Sequence, residues 1–264
     1  MSADLVAAYN ATGAAWQRGP GRIYDQLALE LVARCPGLGD TSLVLDVGAG
    51  TGAATRAIRR TGAQVVALDV AFGMLANGCR DVPMCVGDAS ALPFGDRTFD
   101  AVVAAFSLNH VSTPATALRE AARVTRSTGS IVASSYSTDD AHPAKRAVDD
   151  AARAAGWVEP GWYRSLRDET MPLMATVDRV LDIALRAGLV DGSAKVVQVA
   201  IPALTTDDLV AWRLGMAHLA PFVEGLDPRS RRRLWSDASA RLAGVPVLVR
   251  SIIVLTGHPA AQRS

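Results

Sequence analysis

The chemistry legible in this chain sits in a few acidic and imidazole side chains that follow short apolar runs. Asp46 lies in the run Leu43-Val-Leu-Asp-Val47, and Gly48, Gly50 and Gly52 come next, with Ala49 among them, giving D-x-G-x-G-x-G. Alternating glycines let the backbone approach a nucleoside-bearing ligand closely, because no side chain intervenes. A carboxylate beside that turn suits a cationic ligand with hydroxyl and ammonium groups better than a pyrophosphate. Asp69 ends a second run, Val65-Val-Ala-Leu-Asp-Val70, where a carboxylate can accept from both hydroxyls of a ribose. Asp88 follows a third, in Val86-Gly-Asp-Ala-Ser90, where an ionised carboxylate can only accept hydrogen bonds. His110 follows a fourth run and His218 sits in Trp212-Arg-Leu-Gly-Met-Ala-His218; each can serve as a general base.

These residues need a scaffold that brings strand ends together. Residues 43–47, 64–69, 84–87, 99–106 and 129–136 read as strands, alternating with helices near 53–61, 71–79 and 114–125. That is the spacing of βαβ units with right-handed crossovers. An amphipathic helix at 23–33 precedes the core, after a turn-rich patch at 17–22. Two further strands are expected at 195–203 and 245–256, separated by a helical insertion at 206–242 that exceeds any hairpin requirement. The expectation is an α/β fold, a doubly wound, mostly parallel seven-stranded Rossmann-like sheet with helical caps. Residues 1–40 would form an N-terminal lid, 41–136 the cofactor-binding core, and 137–264 the remaining strands with caps at 137–194 and 206–242. On such a sheet, ligands bind at the carboxyl ends of the strands.

Composition narrows the partners. The chain has 264 residues, half of them hydrophobic, with 27 Lys and Arg against 26 Asp and Glu, so nothing draws it electrostatically to nucleic acid. Cys35, Cys79 and Cys85 show neither C-x-x-C spacing nor paired His ligands, which argues against a disulfide framework or a zinc site; no metal is expected. No leader pattern and no apolar run of ~20 residues is present, so a soluble cytoplasmic protein, monomeric or homodimeric, is expected away from membranes.

The glycine segment resembles motif I of class I S-adenosylmethionine (SAM)-dependent methyltransferases. Leu92-Pro-Phe-Gly-Asp-Arg-Thr-Phe-Asp100 and Glu120-Ala-Ala-Arg-Val-Thr-Arg-Ser-Thr-Gly129 resemble the "LPF-x-D-x-x-FD" and "E-x-x-RVL-x-x-GG" stretches of the UbiE-like, or type 11, small-molecule group. Thr125 replaces the usual Leu and Ser130 the second Gly. The likeness spans residues 40–136 and fades in the C-terminal half. It implies SAM as cofactor, with the glycine loop and Val70 near it and Asp88 and the Ala89 N–H on the adenine. Ala105, Phe106 or Ser107 would face the methionine moiety, and Tyr9 and Arg22 would reach its carboxylate or the reacting methyl.

Methyl transfer from a sulfonium is an in-line displacement whose leaving group departs neutral, so alignment can supply most of the acceleration. The resemblance implies methylation of O, N or C of a small, apolar metabolite, a natural-product or quinone-type intermediate. Trp157, Trp162, Tyr163, Trp212, Met216, Phe222 and Trp235 are candidates for the acceptor wall. Ser107-Leu-Asn-His110 stands where enzymes that methylate nucleic-acid amino groups carry Asn/Asp-Pro-Pro-Tyr/Phe. The competing readings are an NAD-dependent oxidoreductase, since Gly48, Gly50 and Ala53 satisfy a loose dinucleotide pattern, and a SAM-binding protein without methyl transfer.

Overall fold

The structure, a computed structural model, describes residues 2–260. Two helices, α1 (Ala3–Arg18) and α2 (Gly21–Val32), lead into β1 (Leu43–Val47), α3 (Ala53–Arg59), β2 (Gln64–Asp69), α4 (Phe72–Leu75) and β3 (Met84–Val86). Next come β4 (Phe99–Ala105), α5 (Pro114–Val124), β5 (Thr125–Tyr136), α6 (Pro143–Ala154), α7 (Gly161–Ser165) and α8 (Val177–Arg186). The last described elements are β6 (Leu189–Ile201), the insertion helices α9 (Thr206–Leu214), α10 (Ala220–Gly225) and α11 (Pro228–Arg241), and β7 (Leu248–Pro259).

The seven strands form one sheet in the order β3-β2-β1-β4-β5-β7-β6. Strands β1 to β5 pair in parallel, while β7 runs antiparallel to both β5 and β6. The sheet is therefore the expected mostly parallel one, with a closing antiparallel hairpin. Helices cover both faces, so successive residues of one strand enter opposite cores. Val44 packs with α2, α3 and α6, whereas Leu45 and Val47 pack with α5 and α8; Ile252 and Ile253 of β7 divide the same way. The chain winds outward from β1 to β3 and then returns to β4, so the ends of β1 and β4 flank a topological switch point.

Local chemistry fixes the helix ends. Pro114 opens α5, where its missing N–H is no loss, and Thr205 with Asp208 forms a reciprocal capping box on α9. Asp227 caps α11 by accepting from the Arg229 and Ser230 N–H groups. Three strand starts differ from expectation, and several strand ends shift by one to three residues. β5 starts at Thr125, earlier than 129. β6 starts at Leu189, because the polar Asp191-Gly-Ser segment is a bulge in an edge strand and not a loop. β7 starts at Leu248, past Pro246, which has no N–H to give to the ladder.

Helix α1 lies across α4 at a close glycine crossing. A Cβ on Gly13 would fall 2.3 Å from the Gly73 carbonyl oxygen, and one on Gly73 would fall 2.0 Å from that of Asn10. The Asn10 side chain also accepts from the Gly73 N–H at 2.8 Å. This crossing holds Tyr9 and Trp16 over the strand ends.

Candidate active site

The loops after four parallel strands enclose one cavity at the switch point. Its lining holds Gly48 to Thr51 after β1, Asp69 and Val70 at the end of β2, Gly87 to Ala89 after β3, and Ala105 to Ser107 at the end of β4, with His110 and Val111 beyond. Tyr9, Trp16 and Tyr24 close it from α1 and α2, and Met74 from α4. Of the residues expected at a cofactor, Tyr9, Gly48, Ala49, Gly50, Asp69, Val70, Asp88, Ala89, Phe106 and Ser107 meet here, and His110 joins them.

Gly48 is required at its position for two reasons. Its φ is +72°, in the left-handed region, and a Cβ there would fall 2.2 Å from the Ser107 Cβ. Ser107 in turn donates to the Val47 carbonyl at 2.7 Å, tying the end of β4 to the end of β1. The loop's own donors are engaged within the protein. The Gly48 and Ala49 N–H groups bond the Leu68 carbonyl at 2.7 and 2.9 Å, that of Gly50 bonds Asp69 Oδ2 at 2.8 Å, and that of Gly52 bonds the Ala49 carbonyl at 2.8 Å. Few donors remain to cradle a pyrophosphate.

Asp69 Oδ1 also accepts from the Ala71 N–H at 2.8 Å. A carboxylate has about four lone-pair sites, so two remain for ligand hydroxyls. Burial raises its pKa and the backbone N–H bonds oppose that. Asp88 is exposed and accepts from the Ser90 N–H at 2.7 Å, which holds its carboxylate at the rim.

Three expected cofactor contacts lie elsewhere. Gly52, at φ +83°, precedes α3 outside the cavity lining. Arg22 is committed to the insertion, donating to Asp208 Oδ1 at 2.8 Å and to the Ala203 carbonyl at 3.3 Å. Asp46 shares a strand face with Val44 and so points beneath α3, where it is fully buried and accepts from the Thr55 hydroxyl at 2.6 Å. Its other oxygen has no partner in the protein.

Burial pushes the Asp46 carboxyl up to about 7, with the Thr55 hydroxyl pulling the other way. The folded state therefore holds this proton more tightly than the unfolded chain does. The resulting stabilisation is complete below the ordinary carboxylate range and is lost as the pH rises to 7. Asp46→Asn keeps the shape and cannot ionise, so wild type should lose ~4 kcal/mol relative to the variant between about pH 4 and pH 7. Urea unfolding of ligand-free protein at several pH values measures this; a pH-independent difference would remove Asp46 as a buried proton-holding group.

Phe106 has a φ of +54°, unusual for a bulky side chain and worth ~1–2 kcal/mol of backbone strain. The Phe106 N–H is held by both the carbonyl and the hydroxyl of Ser134, each at 3.2 Å. Its ring meets Tyr24 edge-on at 5.5 Å and stacks on Tyr136 at 4.6 Å. Tyr136 belongs to a second cavity, of about 700 Å³, and Tyr9, Tyr24 and His110 line both cavities. The His110 Nε2 lies 3.0 Å from the Tyr9 hydroxyl. Burial pushes its imidazole down to about 4, against the opposing pull of the Phe106 and Ser107 carbonyls, so the ring is neutral at ordinary pH.

His218 also lines the second cavity, flat against Tyr163 at 3.7 Å between ring centres, with burial holding its pKa well below the ordinary value. Trp162, Tyr163, Trp212 and Met216 reach the same space. Trp157, Phe222 and Trp235 are outside its lining: Trp157 donates to the His218 carbonyl at 3.0 Å and Trp235 to Asp207 at 2.8 Å. Charge is also present, in Lys145, Asp140, Asp149, Arg213 and Arg250. Trp16, Tyr24, Tyr136 and Arg250 line these cavities without being among the residues expected at the site. Arg250 carried a usable signal, a cation inside the run Val249-Arg-Ser-Ile-Ile-Val254 of a central strand.

Among the described residues, no cluster of three His, Cys, Asp or Glu side chains is arranged to hold a metal ion, and no helix is long and apolar enough to cross a membrane. Residues 45–133 match the methyltransferase domain family. A demethylmenaquinone methyltransferase of Renibacterium salmoninarum is 39% identical over 140 residues, covering 52% of this chain and 57% of that one. That of Mycobacterium tuberculosis is 47% identical over 102 residues, covering 38% and 44%. The chain thus spans about half the length of the curated relatives it matches. Among solved structures, phosphoethanolamine N-methyltransferase 2 of Haemonchus contortus shares the fold at a TM-score of 0.56 and 16% identity, covering 89% of this chain and 52% of that one.

Proposed function

We propose that this chain, whose residues 45–133 form a methyltransferase domain, transfers a methyl group from SAM to O, N or C of a small ring metabolite of quinone type. The observation that carries the reading is the convergence of four strand-end loops on one cavity, with the half-buried Asp69 carboxylate between them. The residues fit the cofactor. Asp69 has lone pairs left for two ribose hydroxyls, and Asp88 with the Ala89 N–H offers an acceptor and a donor for an adenine edge. Tyr9, Trp16 and Tyr24 put three aromatic side chains on the wall, which suits a positively charged sulfur.

Bound there, the cofactor supplies a methyl group on a sulfonium whose departure as a neutral thioether needs no acid. The protein's part is alignment and exclusion of water. Residues 1–40 act as the lid over the core at 41–136, and the acceptor enters the second cavity, between the 137–194 region and the 206–242 insertion. His110, at the junction, accepts a hydrogen bond from the acceptor's hydroxyl or amine. The partner is a small molecule and not a nucleic acid, a monomer or homodimer suffices, and three free thiols suit a cytoplasmic setting.

Titration calorimetry with SAM, S-adenosylhomocysteine and NAD, followed by methyl-transfer assays with quinol acceptors, tests this reading. SAM and S-adenosylhomocysteine should bind and NAD should not; tight NAD binding without SAM binding would overturn it. Asp69→Ala should weaken SAM by about 30- to 150-fold, since losing charge-assisted bonds to two hydroxyls costs ~2–3 kcal/mol. Unchanged affinity in that variant would take Asp69 out of the site.

A further inference from the structure

The charges of the second cavity are out of balance. Cations outnumber acids in its lining by six to four. The innermost cluster holds two cations on one carboxylate: Arg250 forks onto Asp140 at 2.9 and 2.7 Å, and Lys145 reaches the same carboxylate at 2.5 Å. The Arg250 and Asp140 side chains are each 3% exposed, while that of Lys145 is 27% exposed and is the reachable member. A net positive charge held away from water is costly unless a ligand neutralises it. Burial and the Arg250 charge together push the Lys145 ammonium down to about 8, the mark of a cation short of a counter-ion.

Unpartnered polar atoms gather at the same place. Asn109, the Tyr136 hydroxyl, Trp212 Nε1, His218 Nε2 and Arg250 Nη1 are buried without a hydrogen-bond partner in the protein, and all five residues line this cavity. Buried polar groups are ordinarily satisfied, and the indole and guanidinium nitrogens can only donate. The walls are flat: Tyr136 and Trp212 bracket Arg250 at 4.2 and 5.1 Å, and Tyr163 stacks on His218.

We propose that the acceptor is a ring compound bearing a carboxylate, its ring against the aromatic wall and its carboxylate at Lys145 and the Arg250 cluster. This inference rests on the methyltransferase reading for calling the ligand an acceptor. One carboxylate matches the single surplus charge of the cluster. An uncharged, long-chained quinol would bury the same cations without compensating them. The shared Tyr9, Tyr24 and His110 lining leads from this seat to the cofactor cavity.

The test is calorimetric titration of the full chain, loaded with S-adenosylhomocysteine, using 1-hydroxy-2-naphthoate and 1-naphthol, which share a ring and hydroxyl but differ by the carboxylate. The naphthoate should bind at least tenfold more tightly, and benzoate should compete with it. Lys145→Met should erase the preference, while Lys145→Arg keeps it and both variants retain cofactor-product affinity. Benzoate competition on unaltered protein decides the matter should Lys145→Met fail to fold. Equal binding of 1-naphthol, absence of naphthoate binding, or competition by inorganic phosphate and not by benzoate overturns the proposal and leaves the methyltransferase reading standing. Absence of S-adenosylhomocysteine binding removes that reading instead, and the same two titrations on cofactor-free protein still decide the carboxylate preference.

Discussion

Gly48→Ala should yield a protein that binds SAM at least 100-fold more weakly and unfolds in urea with ~3 kcal/mol less stability. The estimate joins ~1–2 kcal/mol for placing a non-glycine residue in the left-handed region with ~1–3 kcal/mol for the overpacking a forced methyl brings. Both causes are present: φ is +72°, and the new Cβ would fall 2.2 Å from that of Ser107. They can be separated. Ser107→Gly in the Gly48→Ala background removes the collision and leaves the backbone strain, so it should recover about half of the lost stability. The same change also removes the bond from the Ser107 hydroxyl to the Val47 carbonyl, so Ser107→Gly alone is the needed fourth corner of the cycle. A Gly48→Ala protein with wild-type stability and affinity would show that the loop is not built on this contact.

The sheet was legible because its strands are apolar runs ending in a charged or glycine-rich turn, and β1, β2 and β4 fall where the pattern places them. Asp69 and Asp88 were legible for the same reason, being placed by strand ends and not by tertiary packing. Asp46 looked equivalent but is one residue short of its strand's end, and the two-residue alternation of β1 turns it under α3. No local pattern reveals that Arg22 is met by Asp208, 186 residues away. The aromatic residues of α1 were hidden in another way. Tyr9 and Trp16 stand seven residues apart on one helix, a spacing that also describes ordinary core packing, and only the glycine crossing of α1 over α4 carries them to the strand ends. The second cavity draws on strands, helices and loops from across the chain, so its charge balance exists only in the folded protein.

Replacing His110 with Ala should lower kcat by about 10²-fold while SAM affinity stays within about threefold, the pattern of a group that acts on the acceptor and not on the cofactor. His110 lines both cavities, and its ring is neutral because burial holds the imidazole down at about 4. With the Phe106 and Ser107 carbonyls favouring a proton on the ring, Nε2 is left to accept, and in the ligand-free state the Tyr9 hydroxyl occupies it at 3.0 Å. An acceptor must displace that hydroxyl, so Tyr9→Phe should cost turnover far less than His110→Ala does. A base this weak cannot ionise a phenol in advance; it can take the proton only as the bond to the methyl forms. Acid stability gives a readout independent of turnover. A His whose folded pKa is depressed contributes stability that is present above its unfolded value and lost as the pH falls, here between about 6.5 and 4, by ~3 kcal/mol. His110→Ala should lack that acid slope. Near-normal turnover at saturating acceptor would reduce His110 to a rim residue, and an unchanged acid slope would mean that its imidazole is not held neutral by the fold.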